Sequence, residues 1–218
     1  MRIRHFPITC VLCIAIFLIS DSVWAAGAIE YQNGKAASAE KDYQKAAQFF
    51  TKAIESKELN DESLIDAYYS RGLAWFEIGD LNKALNDFTM TIKLSPRHSD
   101  AYYSRAFVWD YKGQPDKAIS DFTKAVDINP RDADSFYSRG NCWFDQNAHD
   151  KAIEDYTQAL KLRPDFADAY YNRAVAYYNK GDLKSAFKDA KKALSLAPKN
   201  NTYEGLVQEL EAKIDILQ

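Results

Sequence analysis

Four arginines and four aspartates stand in register along this 218-residue chain. Arg71, Arg105, Arg139 and Arg173 recur every thirty-four residues, and Asp87, Asp121, Asp155 and Asp189 follow them, each sixteen residues later. A column of guanidinium groups is chemistry suited to an anion, because each presents a planar fork of donors that matches carboxylate or phosphate oxygens. The aspartates supply the competing account, in which each arginine is taken up by a carboxylate of its own repeat. Upstream, the equivalent places hold Asn33 and Phe49, so the two residue types are present together and absent together. Pairing between neighbouring repeats would leave Arg71 facing Phe49 and Asp189 facing Val207, whereas pairing within a repeat leaves neither charge stranded under a helix interface. Each arginine is therefore expected within hydrogen-bond reach of the aspartate sixteen residues later.

Other reactive side chains do not converge. His98 and His149 fall in different repeats without metal-ligand spacing, and there is neither a phosphate-cradling glycine loop nor a nucleophile elbow. Carboxylates are abundant, but their repetition marks them as solvated helix faces. The sequence thus implies no enzyme, no cofactor and no metal. Cys142 shares its register with Ala74, Val108 and Ala176, which predicts a buried small hydrophobe rather than a reactive thiol. With 28 basic against 31 acidic residues and a pI near 5.7, the chain has no general attraction for nucleic acid phosphates or anionic lipid.

The elements that position these residues follow from the period. Rows of thirty-four align residues 65–98, 99–132, 133–166 and 167–200. Tyr68, Tyr102, Phe136 and Tyr170 share the fourth column, and Trp75, Trp109, Trp143 and Tyr177 the eleventh. Ala84, Ala118, Ala152 and Ala186 share the twentieth, and Pro96, Pro130, Pro164 and Pro198 the thirty-second. Columns four and eleven lie on one face of a first helix. The small eighth column, Gly72, Ala106, Gly140 and Ala174, lets a second helix approach. Gly79, Gly113, Asn147 and Gly181 sit where the chain must reverse, Pro115 fits a first helical turn, and the proline column ends each second helix.

This pattern resembles the tetratricopeptide repeat, with its helix-turn-helix period and W-x2-L-G-x2-Y…A…F…P signature. The resemblance implies an all-α solenoid of antiparallel helix pairs wound into a right-handed superhelix, with a C-terminal capping helix. Residues 27–64 read as a degenerate first repeat, with Ala46 and Phe50 in the alanine and aromatic columns and four extra residues around Glu58 to Ser63 expected to lengthen a loop. Residues 201–218 carry an apolar stripe, Tyr203, Leu206, Val207, Leu210, Ile214 and Leu217, as a cap requires. Residues 1–25 have the layout of a secretory signal: Arg2 and Arg4, an apolar run from Ile8 to Ile19, then small residues. Removal near Ala25 is expected, against the alternative of a retained anchor. It would leave Cys142 alone, so that no intrachain disulfide could form. A bacterial periplasm or envelope suits such a protein.

The family exposes the second, fifth, ninth, twelfth and thirteenth columns of its repeats along a concave groove. By that resemblance the groove here holds Tyr69, Leu73, Phe76 and Glu77, then Tyr103, Phe107, Asp110 and Tyr111. Tyr137, Asn141, Phe144 and Asp145 follow, then Tyr171, Val175 and Tyr178, with Asp66, Asp100, Asp134 and Asp168 beside them. Packing of the tyrosines and helix-dipole stabilisation by the aspartates compete with a binding role at any single position. The face as a whole, aromatic and acidic, suits an extended segment or helix of a protein partner with basic and apolar residues. The family's clamp for acidic chaperone tails is not matched: Asn141 and Asn172 occupy two of its positions, but Tyr137 stands where its first lysine should be. Two other readings remain at this point, a glycan-binding module stacking sugars on Tyr69, Tyr103, Phe107, Tyr137 and Tyr171, and self-association through the same face.

Overall fold

The structure is a computed structural model that describes residues 26–216; the expected secretory signal and Leu217 lie outside the described residues. The chain divides into two compact units, the first ending at Pro96 and the second beginning at Arg97. The described part of the first contains α1 (residues 26–39), α2 (Tyr43–Ser56), α3 (Asp61–Ile78) and α4 (Leu81–Leu94). The second contains α5 (Ser99–Tyr111), α6 (Pro115–Ile128), α7 (Ala133–Asp145), α8 (His149–Leu162), α9 (Ala167–Asn179), α10 (Leu183–Leu196) and α11 (Asn201–Ile216). No strand occurs among the described residues.

Each repeat is a pair of helices joined by a turn too short for anything but an antiparallel neighbour. Gly79, Gly113, Asn147 and Gly181 take the left-handed conformation in those turns, as does Lys41 at the equivalent place between α1 and α2. Aspartates start several second helices: Asp42, Asp80 and Asp182 accept from the backbone N–H groups of Lys45, Lys83 and Ser185. Pro115 opens α6. The second helices α4, α6, α8 and α10 stop at Leu94, Ile128, Leu162 and Leu196, two residues short of Pro96, Pro130, Pro164 and Pro198.

The alanine column carries the core. Ala46, Ala84, Ala118, Ala152 and Ala186 are all fully buried, which lets the two helices of a repeat meet at close range. Above the glycines of column eight lies a ring from the second helix. A methyl group added to Gly72 would meet Phe88 Cε1 at 2.7 Å, and one added to Gly140 would meet Tyr156 Cε1 at 2.8 Å. Lys83, Lys117 and Lys151 lie over the rings of Trp75, Trp109 and Trp143 at 4.2, 4.4 and 4.1 Å, covering the outer side of the tryptophan column.

The region around Glu58 to Ser63 departs from expectation. The four extra residues do not lengthen a loop. Lys57 turns the chain in the left-handed conformation, Asn60 caps the next helix by accepting from Ser63 N–H at 2.8 Å, and α3 begins at Asp61, a turn earlier than its counterparts. Asp61 and Glu62 then occupy the first turn, where the helix dipole favours carboxylates, so the polarity of this stretch belongs to a helix start. Asp66 is consequently mid-helix, not in a first turn. At the other end, α11 buries Tyr203, Val207 and Leu210 and half-buries Leu206 and Ile214, the amphipathic face foreseen for a cap.

Candidate functional site

The arginine column is internal structure. Arg71 Nε and Nη2 donate to both carboxylate oxygens of Asp87 at 2.7 Å, and Arg139 does the same to Asp155. Arg105 reaches Asp121 at 2.7 and 2.9 Å and Arg173 reaches Asp189 at 2.6 and 3.0 Å. The aspartates are buried and the guanidinium groups nearly so. Burial raises the Asp155 carboxyl, while the hydrogen bonds and charge of Arg139 oppose that rise. The same hydrogen bonds lift Arg139 above its ordinary range, and the bidentate geometry keeps the pair ionised. Each guanidinium also faces the ring at column four, Arg71 over Tyr68 at 5.5 Å and Arg139 over Phe136 at 5.6 Å.

A further set of partners, outside the Arg–Asp columns, completes the guanidinium groups. The remaining nitrogen of Arg71 donates to Thr51 Oγ1 at 3.0 Å, that of Arg139 to Thr123 at 3.1 Å and that of Arg173 to Thr157 at 2.9 Å. These threonines belong to the second helix of the preceding repeat, so the ion pair within one repeat also tethers it to its neighbour. The signal was present: Thr51, Thr89, Thr123 and Thr157 form a column of their own, ending at Lys191.

The expected groove residues divide between the two units. In the first, α3 carries Tyr69, Leu73, Phe76 and Glu77; Leu73 and Glu77 are exposed, while Tyr69 is half-buried with its ring 5.8 Å from that of Phe88. Asp66, on the same helix, accepts from Tyr31 Oη at 2.6 Å. In the second unit, α5, α7 and α9 lie side by side and bring the other expected residues onto one face. Phe107 and Tyr111 are 43% and 73% exposed, which makes α5 the most open aromatic stretch of this face.

The tyrosines of column five are part floor, part surface. Tyr103 lies edge-on to Phe122 at 5.5 Å and stacks on Phe107 at 6.4 Å. Tyr137 packs between Tyr156 at 5.9 Å and Phe166 at 4.6 Å, and Tyr171 stacks on Tyr203 at 5.0 Å. A sugar-stacking role requires open ring faces in line, and these rings are half-buried against other rings, so the geometry gives the glycan reading no support. Tyr178 is drawn toward the capping helix: it donates to Glu209 at 2.6 Å, and Lys213 sits 4.5 Å over its ring. Asp134 and Asp168 are likewise engaged, by Arg163 and by the Tyr203 hydroxyl.

A concavity with built walls opens on this face. Asp110 from α5, Asn141, Phe144 and Asp145 from α7, Tyr156 from α8, and Tyr171, Asn172 and Val175 from α9 enclose about 500 Å³. Its floor is a polar network: Asn141 Oδ1 accepts from Tyr156 Oη at 2.8 Å and from Asn172 Nδ2 at 2.9 Å, and Asn172 also donates to Tyr137 Oη at 3.0 Å. Tyr156 is fully buried, and burial raises its hydroxyl well above the usual phenol range. Cys142, buried beneath, donates from Sγ to Asp110 Oδ1 at 3.5 Å; burial raises this thiol too, so it is no thiolate nucleophile. Asp110 and Asp145 stand exposed on the rim, and the Asp145 carboxyl is raised by its partial burial and by the charge of Asp110.

Comparison with known proteins agrees with this architecture. The family model described as TPR repeat matches residues 140–181, and that described as tetratricopeptide repeat matches residues 99–132 and 167–200. No curated protein matches the chain. Among solved structures it is similar to MamA, at 26% identity and a TM-score of 0.72 over 82% of this chain and 96% of that one. It is also similar to YrrB, described as a TPR protein with an unusual peptide-binding site, at 23% identity and a TM-score of 0.68 over 82% and 88% of the two chains. The thermophilic TPR protein TTC0263 of Thermus thermophilus shares 24% identity and a TM-score of 0.58 over 86% and 100%. The chain carries tetratricopeptide repeats in an all-α fold, and proteins of this repeat class are generally non-enzymatic and serve as protein–protein interaction modules.

Proposed function

We propose that this chain is a scaffold that holds a segment of a protein partner, extended or helical and carrying basic and apolar residues, against the face formed by α5, α7 and α9. The observation that carries this reading is the face itself, where the exposed rings of Phe107 and Tyr111 stand beside a walled concavity with two rim carboxylates. Exposed aromatics supply rigid anchors, and carboxylates on the rim select a basic sequence and reject an acidic one. The peptide-binding description of YrrB is in keeping with this use of the fold, although that likeness concerns the fold alone.

The test is capture of partner proteins on the native chain and on a Phe107→Ser/Tyr111→Ser variant whose thermal unfolding matches it. Loss of specific, directly cross-linked partners from the variant is expected; recovery of the same cross-links at the same yield would overturn the face as the binding site. Sedimentation at several concentrations separates this from self-association, which would give a concentration-dependent mass without any partner. The leader reading belongs to the same proposal: export with removal near Ala25 places the scaffold in a periplasm or envelope. Mass spectrometry of the N-terminus of the native protein should then find Ala26 first, and an intact Met1 would contradict it.

A further inference from the structure

The repeat period supplies an internal control for the concavity of the second unit. At column nine the chain has Leu73, Phe107 and Val175 but Asn141. At column twenty-four it has Phe50, Phe88 and Phe122, then Tyr156 and finally Ala190, and at column six Ser70, Ser104 and Ser138 but Asn172. Two departures toward polar side chains and one from serine to a longer amide, from three different helices, meet in one hydrogen-bonded network at the floor of one pocket. Fold maintenance does not call for this, since the repeats with leucine, phenylalanine and serine in those columns form the same helix pairs. A buried polar network has a desolvation cost and is stabilising only when its members are satisfied, which makes its placement under an open cavity informative.

We propose, resting on the scaffold reading above, that this pocket is the register-setting subsite of the partner: it takes one lysine or arginine side chain, with the cation between Asp110 and Asp145 and the aliphatic stem along Phe144, Tyr171 and Val175. Several observations specify that occupant. None of the eight lining residues is basic, and the two carboxylates on the rim are not neutralised by any ion pair among the described residues. The walls are aromatic or branched apolar groups, the environment that suits the methylene stem of a basic side chain, and aromatic faces attract a cation. Burial first, and the like charge of Asp110 second, raise the Asp145 carboxyl, and a cation between the two carboxylates relieves that repulsion. An acidic side chain entering the same place would meet two like charges and is rejected.

The experiment is an NMR titration of the full chain with N-acetyl-lysine N-methylamide, the arginine analogue, the isosteric norleucine analogue and the glutamate analogue. The signals followed are the side-chain amides of Asn141 and Asn172. The expected result is saturable shifts of both amides by the lysine and arginine probes, at least about tenfold weaker binding of norleucine, and none of glutamate. The Asp110→Asn/Asp145→Asn variant removes both charges from exposed positions and keeps the side-chain shapes; it should lose the preference for lysine over norleucine. Absence of saturable binding by lysine, equal binding of norleucine, or an unchanged preference in the variant would each overturn the proposal. Partner capture distinguishes the two levels. If the Asp110→Asn/Asp145→Asn chain retains the cross-links that Phe107→Ser/Tyr111→Ser loses, the cation subsite fails while the scaffold stands. If neither variant loses them, the face itself fails.

Discussion

The repeats at 65–98 and 133–166 are built on nearly the same plan and are put to different use. Both have glycine at column eight, Gly72 and Gly140, with a ring pressed onto it at nearly the same distance. Both fasten their helices with a bidentate Arg–Asp pair and tether themselves to the preceding repeat through a threonine. They part at the inner face. Column nine against column twenty-four is Leu73 with Phe88 in the first, while in the second it is Asn141 with a tyrosine whose hydroxyl donates to it. Fold-forming columns and function-bearing columns are thus separable, and a position can change its chemistry without disturbing the helix pair beneath.

If that separation is right, perturbing the shared columns should cost both repeats alike. Arg71→Ala or Arg139→Ala strands a buried aspartate and should destabilise its own unit by about 4 kcal/mol in urea unfolding. A large asymmetry between the two variants would break the equivalence. Gly72→Val and Gly140→Val drive a branched side chain into Phe88 and Tyr156 and should each cost about 3 kcal/mol. Alanine should be milder than that, since Ala106 already coexists with Phe122 at the corresponding place.

Smaller and unequal effects belong to the columns that differ. Phe88→Tyr adds a hydroxyl to a ring that is 1% exposed and should cost about 2 kcal/mol, whereas Tyr156→Phe leaves Asn141 Oδ1 its bond from Asn172 and should cost about 1 kcal/mol. Similar losses from the two exchanges, read by urea unfolding, would mean that the hydroxyl of Tyr156 has no special place in its repeat.

Protonation gives the mildest perturbation. Asp145 carries its cation-binding charge only when ionised, and burial with the neighbouring Asp110 raises its carboxyl. Affinity for the lysine probe should therefore fall as pH falls through this raised value, beginning above the ordinary aspartate pKa of about 3.9. Tyr156 and Cys142 stay neutral across that window, since burial raises both, and Asp110 is the other carboxyl that faces Asp145, from α5. An affinity that is flat until ordinary aspartate pH, measured by the same titration, would remove Asp145 from the subsite.

Much of the fold was legible because the period repeats its own evidence. Alanine, proline and turn-glycine columns each have a single physical reason, and four copies make the reason visible. The Arg–Asp pairing followed from joint presence and absence. Less legible is what does not repeat, or repeats without a hydrophobic signal. The lengthened start of α3 looked like loop because Asp61, Glu62 and Ser63 are as suited to a helix start as to a turn. The Thr column was in plain sight, yet hydroxyl partners are short-range and give no periodic hydrophobic signal. Tyr156 stands in a column that otherwise holds phenylalanines or alanine, and only its placement under Asn141 and Asn172 shows that a single oxygen atom changes its role. Those two asparagines occupy positions of a clamp whose lysine is missing; together they form a hydrogen-bonded floor instead.

The most direct test returns repeat 133–166 and its neighbour to the plainer types found elsewhere in the chain. An Asn141→Leu/Tyr156→Phe/Asn172→Ser variant adopts the residues of columns nine, twenty-four and six in repeat 65–98. Its affinity for N-acetyl-lysine N-methylamide should drop by at least about tenfold while its urea midpoint stays within the range expected of apolar replacement. Unchanged affinity in a folded variant would show that the polar network is incidental to the face above it.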